Sequence, residues 1–425
     1  MPQIERNARP ARPELLAPAG NMEKLQTAVY YGADAVYLGG KNFSLRQKAG
    51  NFSVEEMETA RDFLRPRGVK LYVTVNIFAH HADFTAFEHY LRQLDALGVD
   101  ALIVADPGIF DQVRRLLPAM PVHISTQANI TNLYAARFWF SLGARRLNLA
   151  RELSFAEIQA IRDGAAGELE VFVHGALCIS YSGRCMLSNY LTGRDANRGE
   201  CAHPCRYRYA VLEEKRPGQY FPVEEDERGT YIFNAKDLCL LPRLPLLVAA
   251  GIDSLKIEGR MKSVYYAGGV TRVYRAALDY LAALPADAWR EPEHIVMPEE
   301  LMAEIRLVGT RDASENFFSG PPGPEEMLFD SARAEQRCEL VALVRAADTV
   351  PLIEARNRFA VGDEIEYLPP GPATLPARVT ALVSEAGENL PFLNPGQMAR
   401  LHTQPALSQT MPYGLLRRRA GRNLS

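Results

Sequence analysis

Four of the six cysteines of this 425-residue chain lie between residues 178 and 205. They are Cys178, Cys185, Cys201 and Cys205, in the spacing C-x6-C-x15-C-x3-C. Four thiolates in one segment are typical of a [4Fe–4S] cluster or of structural zinc. Structural zinc usually has two tight cysteine pairs, and only Cys201 and Cys205 form one here. The spacing therefore favours the cluster, with zinc and buried structural thiols as the open alternatives.

The other two cysteines differ in their expected roles. Cys239 precedes the helix that leads into the eighth predicted strand, and it is the alternative fourth ligand of the cluster. Cys338 opens the C-terminal region, where a free cysteine most often behaves as a small core residue. Cys239 is therefore the residue that could replace one of the four clustered cysteines as a ligand.

The segment around the clustered cysteines is rich in basic and aromatic residues. Its arginines are Arg184, Arg194, Arg198, Arg206 and Arg208. Guanidinium groups offset the charge of a thiolate cluster and bind carboxylates or phosphates in bidentate pairs. The interleaved tyrosines are Tyr181, Tyr190, Tyr207 and Tyr209. Their rings fit either packing within the segment or stacking on an unpaired base.

Short apolar strands alternate with amphipathic helices from Glu14 to about Arg260. The strands are predicted at 14–17, 35–38, 70–76, 101–105, 122–125, 146–150, 169–173 and 254–257. Several helices end at a Gly, such as Gly98, which can adopt the left-handed conformation that closes a helix. Eight such units predict an α/β fold, a (β/α)8 TIM-like barrel with a cysteine-rich insertion at 174–230 after strand seven. The strand count disfavours an open doubly wound sheet.

Polar residues are predicted where the barrel strands end, which is where active sites of such barrels lie. They are Asn76, Asp106, Gln127, Arg151, His174, Glu258 and Arg260. His174 is a candidate general acid or base, with a structural hydrogen bond as the alternative. Lys256, Glu258 and Arg260 alternate along strand eight and so share one face. Charges facing a lumen are costly unless they are paired or functional, so Lys256 and Glu258 are further catalytic candidates, with an internal ion pair as the alternative.

The whole chain divides into five predicted regions. They are a basic arm at 1–13, the barrel at 14–284, a Pro- and Gly-rich linker at 285–334, a small all-β barrel at 335–410 and a basic tail at 411–425. Alternating patterns and turn signals predict strands of the second domain at 339–345, 363–367, 377–383 and 398–402. The arginines of the arm and the tail are expected to be solvated or to contact RNA phosphates.

Composition and missing motifs exclude several classes of protein. The formal net charge is −3, so no overall positive field attracts nucleic acid or an anionic membrane. No apolar run approaches the roughly 20 residues of a membrane span, and the N-terminus has no hydrophobic signal core. We therefore expect a cytoplasmic protein with reduced thiols and no membrane partner. The absence of H-E-x-x-H, G-x-S-x-G and P-loop motifs argues against a standard metalloprotease, serine hydrolase or NTPase.

Three groups of residues resemble the signatures of a known family, the collagenase-like U-type peptidases of family U32. Residues 15–21 (LLAPAGN) and 32–39 (GADAVYLG) resemble its N-terminal signature, and 254–260 (SLKIEGR) its late signature. The central signature is matched by 174–178 (HGALC), 181–185 (YSGRC), 199–201 (GEC) and 204–206 (PCR). The resemblance covers residues 14 to about 284 well and the C-terminal domain more loosely.

The resemblance implies an iron–sulfur protein that hydroxylates its substrate without molecular oxygen. It assigns Cys178, Cys185, Cys201 and Cys205 to a [4Fe–4S] cluster and implies prephenate as co-substrate. The length is most similar to family members that convert the tRNA wobble uridine to 5-hydroxyuridine, so tRNA and an electron donor are the expected partners. Hydroxylation of an rRNA cytidine or a ubiquinone precursor, peptidase activity, and a zinc-bearing scaffold that binds RNA or a partner are the alternatives.

The candidate site residues, which are chosen from their positions and charges, divide into two roles. His174, Lys256 and Glu258 are the catalytic candidates. The substrate-binding candidates are Asn76, Gln127, Arg151, Arg184, Arg206 and Arg260. Of the basic residues, Arg184, Arg206, Lys256 and Arg260 are the candidates for contacts to prephenate carboxylates or RNA phosphates.

Overall fold

The computed structural model describes most of the barrel and of the C-terminal domain. The described residues are 10–41, 43–44, 50–176, 187–192, 194, 202, 211–212, 220–221, 224–226, 229–231, 234–309, 312–320, 327–328, 337–407 and 409–420. The four clustered cysteines, together with Arg184 and Arg206, lie outside them. Within the described parts, no helix combines the length and the hydrophobicity that crossing a membrane requires.

Eight parallel strands form a closed barrel. They are β1 (Glu14–Pro18), β2 (Ala35–Gly39), β3 (Lys70–Val75), β4 (Ala101–Val104), β5 (Val122–Ile124), β6 (Arg146–Asn148), β7 (Glu168–Gly175) and β8 (Ser254–Ile257). Each strand pairs with the next, and β8 also pairs with β1 through Glu14↔Ser254, which closes the sheet. The predicted (β/α)8 barrel is confirmed, because all eight strands lie where the apolar runs predicted them.

Ten helices are described along the chain. They are α1 (Met22–Tyr30), α2 (Val54–Leu64), α3 (Phe84–Leu97), α4 (Pro107–Leu116), α5 (Leu133–Ser141), α6 (Phe155–Gly164), α7 (Leu187–Thr192), α8 (Leu244–Ala249), α9 (Val264–Ala283) and α10 (Glu299–Val308). Short polar side chains begin many of them: Asp106 accepts the backbone N–H of Ile109, for example. Gly98 ends α3 with φ 68°, as the recurring Gly signal predicted. Single turns of 3-10 helix lie at Arg65–Arg67, His81–Asp83, Thr126–Ala128, Leu241–Arg243, Ala286–Arg290, Pro292–His294 and Asn316–Ser319.

The chain between β7 and β8 adds short strands at the barrel rim. Asp237–Cys239 runs antiparallel to the end of β7 and parallel to Ala313–Ser314. The other short strands in this part form three pairs: Val211–Leu212 with Tyr220–Phe221, Glu224–Asp226 with Gly229–Tyr231, and Asn234–Ala235 with Met327–Leu328. The cysteine-rich segment therefore starts at the carboxyl end of β7.

The prediction of a linker over 285–334 is wrong at α10. This helix buries Leu301, Ile305 and Val308, and the glycine Gly269 of α9 leaves room for the Val308 side chain. The Pro and Gly residues that indicated a linker flank the helix instead of interrupting it. An apolar stripe at i, i+4 and i+7 was the local signal for this helix.

The C-terminal domain is a six-stranded antiparallel barrel. Its strands are β9 (Cys338–Ala346), β10 (Leu352–Ala355), β11 (Glu364–Leu368), β12 (Leu375–Val383), β13 (Met398–Gln404) and β14 (Leu415–Arg419). Their order is β11-β14-β9-β10-β13-β12, and pairing of β11 with β12 closes the barrel. Short strands at Phe359–Ala360, Asn389–Leu390 and Phe392–Leu393 complete it. The predicted small all-β barrel is confirmed.

The prediction of a basic tail from residue 411 is wrong at β14. Leu415–Arg419 pairs with both β9 and β11, so it is a central strand of the second barrel. Arg417 is fully buried and bonded to Glu304 and Glu366, which explains why its charge does not require solvent. Arg12, at the end of the predicted N-terminal arm, contacts Asp34 and Asp279 on the barrel.

Candidate active site

Two neutral side chains meet at the mouth of the barrel. Asn76 follows β3, and Gln127 lies in the turn Thr126–Ala128 after β5. The Asn76 Nδ2 donates to Gln127 Oε1 at 2.9 Å, and the Ser125 hydroxyl donates to the same oxygen. Asn76 and Gln127, predicted separately as strand-end residues, are thus brought together by the barrel.

A charged pair lies on another side of the mouth. Arg151 follows β6 and Glu258 follows β8, and their side chains are 3.4 Å apart. Arg151 also donates to the carbonyl of Ala176 at 2.7 Å, and its guanidinium lies 3.8 Å from the centre of the Phe172 ring. Because Ala176 is the last described residue before Cys178, this pair lies beside the start of the cysteine segment. Both residues belong to the predicted site.

Arg260 is buried and organises the loop after β2. Its guanidinium donates to the hydroxyls of Ser44 and Thr74 at 3.0 Å each and to Asn51 Oδ1 at 2.6 Å. A Cβ atom on Gly39 would lie 2.3 Å from Arg260 Nη2, so the glycine is what permits this approach. In the described structure Arg260 therefore holds residues 44 and 51 at the mouth.

Lys256 lies deeper in the lumen than the strand pattern suggested. β8 ends at Ile257, so Glu258 and Arg260 are beyond the strand and the predicted alternation does not continue through them. Lys256 Nζ is 2.9 Å from Glu170 Oε1 and 4.5 Å from the centre of the Tyr37 ring. The internal ion pair that was the alternative interpretation of Lys256 is present, with Glu170 instead of Glu258 as its partner.

This ion pair is part of a buried charged cluster in the lumen. Arg146 of β6 lies 3.4 Å from Glu170 and 2.6 Å from Glu14. Tyr72 donates its hydroxyl to Glu14 at 2.8 Å. Each charge in the cluster has an opposite charge within contact distance, which is the condition under which buried ions are tolerated. The cluster joins side chains from β1, β3, β6, β7 and β8 across the lumen.

The backbone of His174 contacts Glu258, whose N–H donates to the His174 carbonyl at 2.8 Å, while the His174 side chain contacts α9. The pairing of β7 with β8 is irregular at this point, since Phe172 pairs with Lys256 but His174 pairs with Ile257. The imidazole packs against α9, with Nδ1 3.4 Å from the Tyr274 hydroxyl. Burial lowers the pKa of His174 to about 4, so the ring is neutral at neutral pH. The structure does not bring His174, Lys256 and Glu258 into one catalytic group.

Cys239 is buried beside His174 on the adjacent short strand. Its Sγ lies 3.8 Å from the Tyr274 hydroxyl, and its backbone pairs with His174. Burial raises the pKa of the Cys239 thiol, which disfavours the thiolate that a metal requires. The residues that the structure describes contain no group of three or more His, Cys, Asp or Glu side chains arranged to hold a metal ion.

One hydrogen-bonded turn is described within the cysteine segment. Ser188, three residues after Cys185, donates its hydroxyl to the carbonyl of Arg194 at 2.8 Å. The same hydroxyl accepts the backbone N–H of Ala202, which directly follows Cys201, at 2.9 Å. The Ser188 side chain thus joins two parts of the segment that each adjoin a predicted cluster ligand in sequence.

Family comparisons agree with this architecture. The model of peptidase family U32 matches residues 20–328, and the model of the peptidase family U32 C-terminal domain matches residues 336–418. The chain belongs to peptidase family U32. The family resemblance predicted from the sequence motifs is therefore confirmed.

Several relatives of this U32 protein carry functional names, including the three that follow. The tRNA hydroxylation protein P1 of Bacillus subtilis (strain 168) is 41% identical over 382 residues, covering 89% of each chain. The tRNA hydroxylation protein P of Escherichia coli (strain K12) is 36% identical over 402 residues, covering 84% of this chain and 86% of the relative. The 23S rRNA 5-hydroxycytidine C2501 synthase of Escherichia coli (strain K12) is 36% identical over 326 residues, covering 76% of this chain and 47% of that protein.

The U32 signature segments converge on the mouth of the barrel. Residues 15–21 form β1 and the N-cap of α1, and 32–39 lead into β2 and end at the glycine beside Arg260. Residues 254–260 form β8 and supply Lys256, Glu258 and Arg260. Segments far apart in sequence therefore surround one end of the barrel.

Sequence reasoning missed three polar residues at this end of the barrel. Ser44 and Asn51 lie in the loop after β2, where no periodic pattern marks them. Asn148 was placed inside a strand predicted to continue to residue 150, but β6 ends at Asn148. With the correct strand end, the rule that selected Asn76 would also have selected Asn148.

Proposed function

We propose that this protein hydroxylates C5 of the tRNA wobble uridine, in a reaction that uses a [4Fe–4S] cluster and prephenate. The observation that carries the proposal is the similarity to two proteins named for tRNA hydroxylation, which extends over 84–89% of this chain. The relative named for rRNA hydroxycytidine synthesis is matched over only 47% of its length, which favours tRNA over rRNA as the substrate. Expected partners are tRNA, prephenate and an electron donor.

The cluster ligands in this proposal are Cys178, Cys185, Cys201 and Cys205. The donor set fits, because four cysteines supply the thiolates of a [4Fe–4S] site. Cys239 fits less well as the fourth ligand, since its thiol is buried against Tyr274 and its pKa is raised by burial. When bound, the cluster would supply electron transfer or Lewis acidity.

The side chains at the mouth would position the reactants. The guanidinium group of Arg151 lies where the cysteine segment begins, and it donates hydrogen bonds to Glu258 and to the carbonyl of Ala176. A guanidinium group binds carboxylates or phosphates through two parallel hydrogen bonds, so we assign Arg151 to a carboxylate of prephenate or to an RNA phosphate. Lys256 pairs with Glu170, and Arg260 donates hydrogen bonds to Ser44, Thr74 and Asn51. Both residues would therefore stabilise the mouth of the barrel without contacting the substrate directly.

Nucleoside mass spectrometry of a strain that lacks the gene tests the proposal. Derivatives of 5-hydroxyuridine should disappear from tRNA, while 5-hydroxycytidine in rRNA should be unchanged. Reintroducing the gene should restore them. If the tRNA derivatives persist in a strain without a second member of the family, the proposed function is wrong; loss of the rRNA nucleoside would redirect it to the rRNA alternative.

Metal analysis of anaerobically purified protein tests the ligand assignment. A [4Fe–4S] cluster predicts about four iron atoms and four acid-labile sulfides per chain. Cys205→Ala should lower both contents, whereas Cys239→Ala should leave them near the wild-type value. The reverse pattern would assign the fourth ligand to Cys239, and zinc in place of iron would remove the cluster from the proposal.

A further inference from the structure

The side-chain amide of Asn148 is buried, and no residue in the described part of the chain forms a hydrogen bond with it. It is the last residue of β6 and is 2% exposed. Both Oδ1 and Nδ2 are buried without a hydrogen-bond partner, and no other side chain among the described residues leaves two polar atoms in this state. Buried polar groups are nearly always hydrogen-bonded, so this amide, which has no partner among the described residues, is suited to receive a ligand.

The strand pattern places this amide in the lumen near the mouth. Arg146, two residues earlier on β6, reaches across the lumen to Glu14 on β1 and lies 5.5 Å from the centre of the Tyr72 ring on β3. Side chains two residues apart on a strand share one face. Asn148 therefore faces the lumen one layer above Arg146, on the side of the carboxyl ends where active sites of these barrels lie.

On β7 the register partner of Asn148 is Glu170, whose charge is already paired with Lys256 and Arg146, whereas the neighbours of Asn148 on the β5 side are neutral and polar. The register Ile124↔Leu147 places Ser125, which follows β5, level with Asn148. The Ser125 hydroxyl donates to Gln127 Oε1, the oxygen that also accepts a hydrogen bond from Asn76. The side of the mouth formed by β3, β5 and β6 thus carries amides and a hydroxyl, whereas the charged pair Arg151–Glu258 lies at the cysteine segment.

The chemistry of an amide selects among ligand groups. Its oxygen accepts and its nitrogen donates, so it pairs fully only with a group that presents a donor beside an acceptor. A carboxylate or phosphate presents acceptors alone and would leave Oδ1 unpaired. The edge of uracil presents N3–H beside O4, and side-chain amides bind base edges in this bidentate manner.

We propose that Asn148 binds the N3–H and O4 edge of a uracil base that has been extruded into the mouth. The inference rests on the proposed function and names the base contact of the same site. C5 is bonded to C4, so a contact at O4 and N3 fixes the position of the carbon that is hydroxylated. A base must leave its stack to reach such a position, as enzymes that modify bases generally require.

Binding of two RNAs tests the proposal. The first is an anticodon stem-loop with uridine at the wobble position, and the second is the same RNA with an abasic site there. The full-length protein should bind the uridine RNA more tightly, by roughly 5- to 150-fold, the range expected for one bidentate contact to a base. Asn148→Leu and Asn148→Ala should abolish this preference while affinity for the abasic RNA stays the same. Gln159→Leu, which removes an amide from the outer face of α6, is the matched control and should keep the preference.

Three results would overturn the inference: no preference in the wild-type protein, a preference that persists in both Asn148 variants, or failure of both variants to fold. Failure of both variants to fold would contradict the inference because an amide whose partner is a ligand does not contribute to the folding of the free protein. Asn148→Leu removes an unsatisfied polar group and should unfold at a temperature equal to or above that of the wild type. An amide that serves the fold alone predicts a lower unfolding temperature and an unchanged preference.

The base contact and the proposed function can be refuted separately. If the wild-type gene restores 5-hydroxyuridine in tRNA and Asn148→Ala restores it equally well, the base contact is wrong and the proposed function stands. If the wild-type gene restores none, the proposed function is wrong, and the preference for uridine over the abasic RNA still decides whether Asn148 contacts the base.

Discussion

Replacing Glu304 with glutamine should weaken the junction between the two barrels. Glu304, on α10, accepts hydrogen bonds from Arg417 Nη1 and Nη2 at 2.6 and 2.9 Å and from Arg272 Nη1 at 3.0 Å. Arg417 belongs to β14 and Arg272 to α9, and both are at most 1% exposed. One carboxylate therefore forms ion pairs with two buried guanidinium groups, one from each domain.

The size of the loss in the free energy of unfolding depends on which partners each arginine retains in Glu304→Gln. Arg417 still contacts Glu366 at 2.7 Å, so part of its charge remains compensated. Among the described residues, Arg272 keeps the carbonyls of Pro369 and Ala373 as hydrogen-bond acceptors and has no second carboxylate, and burial already lowers its pKa. Removing one partner of a buried ion pair costs about 3–5 kcal/mol. We expect Glu304→Gln to lower the free energy of unfolding by about this amount.

Equilibrium urea denaturation followed by tryptophan fluorescence measures the change. Trp289 is buried in the turn Ala286–Arg290, shortly before α10. Glu299→Gln is the matched control, because Glu299 is on the same helix but exposed and pairs with the exposed Arg306. Its loss should be below about 1 kcal/mol. Adding Arg272→Met to Glu304→Gln should recover part of the loss, since it removes the uncompensated charge.

The reasoning is refuted if Glu304→Gln and Glu299→Gln change the free energy of unfolding equally. It is also refuted if Arg272→Met deepens the loss instead of recovering part of it. In the first case Arg272 and Arg417 would be compensated without Glu304. In the second, the packing of the Arg272 side chain would outweigh its charge.

Three further predictions concern the barrel. Burial lowers the pKa of His123 well below its usual range, so below about pH 6.5 this side chain takes up a proton in the unfolded chain and not in the folded protein. The free energy of unfolding should therefore fall by up to about 1.4 kcal/mol per pH unit below that pH. His123→Gln should reduce this pH dependence, as measured by urea denaturation at several pH values. Gly39→Ala places a methyl group 2.3 Å from Arg260 Nη2 and should cost about 1–3 kcal/mol of stability, and an unchanged melting temperature would contradict the contact. Arg151→Lys keeps the charge but loses the fork that bridges Glu258 and Ala176, so a strain rescued with it should contain roughly tenfold less 5-hydroxyuridine at a normal protein level. Equal rescue would exclude Arg151 from substrate binding.

The sequence by itself determined the elements and their order. Apolar runs and Gly at helix ends act within a few residues, so all eight barrel strands were predicted to within a few residues at their ends. Four strands of the second barrel were predicted for the same reason. β14 was missed because its three arginines look solvated until Glu304 and Glu366 are known to face them.

Only the tertiary structure decided which side chains meet. Lys256 and Glu258 were predicted together because they are two residues apart, yet Lys256 pairs with Glu170 and Glu258 with Arg151. An irregular pairing at the end of β7 turns His174 towards α9. The unsatisfied amide of Asn148 also becomes visible only once the barrel is closed. The physical reason is that partners across a lumen come from strands tens of residues apart, and no local period encodes that distance.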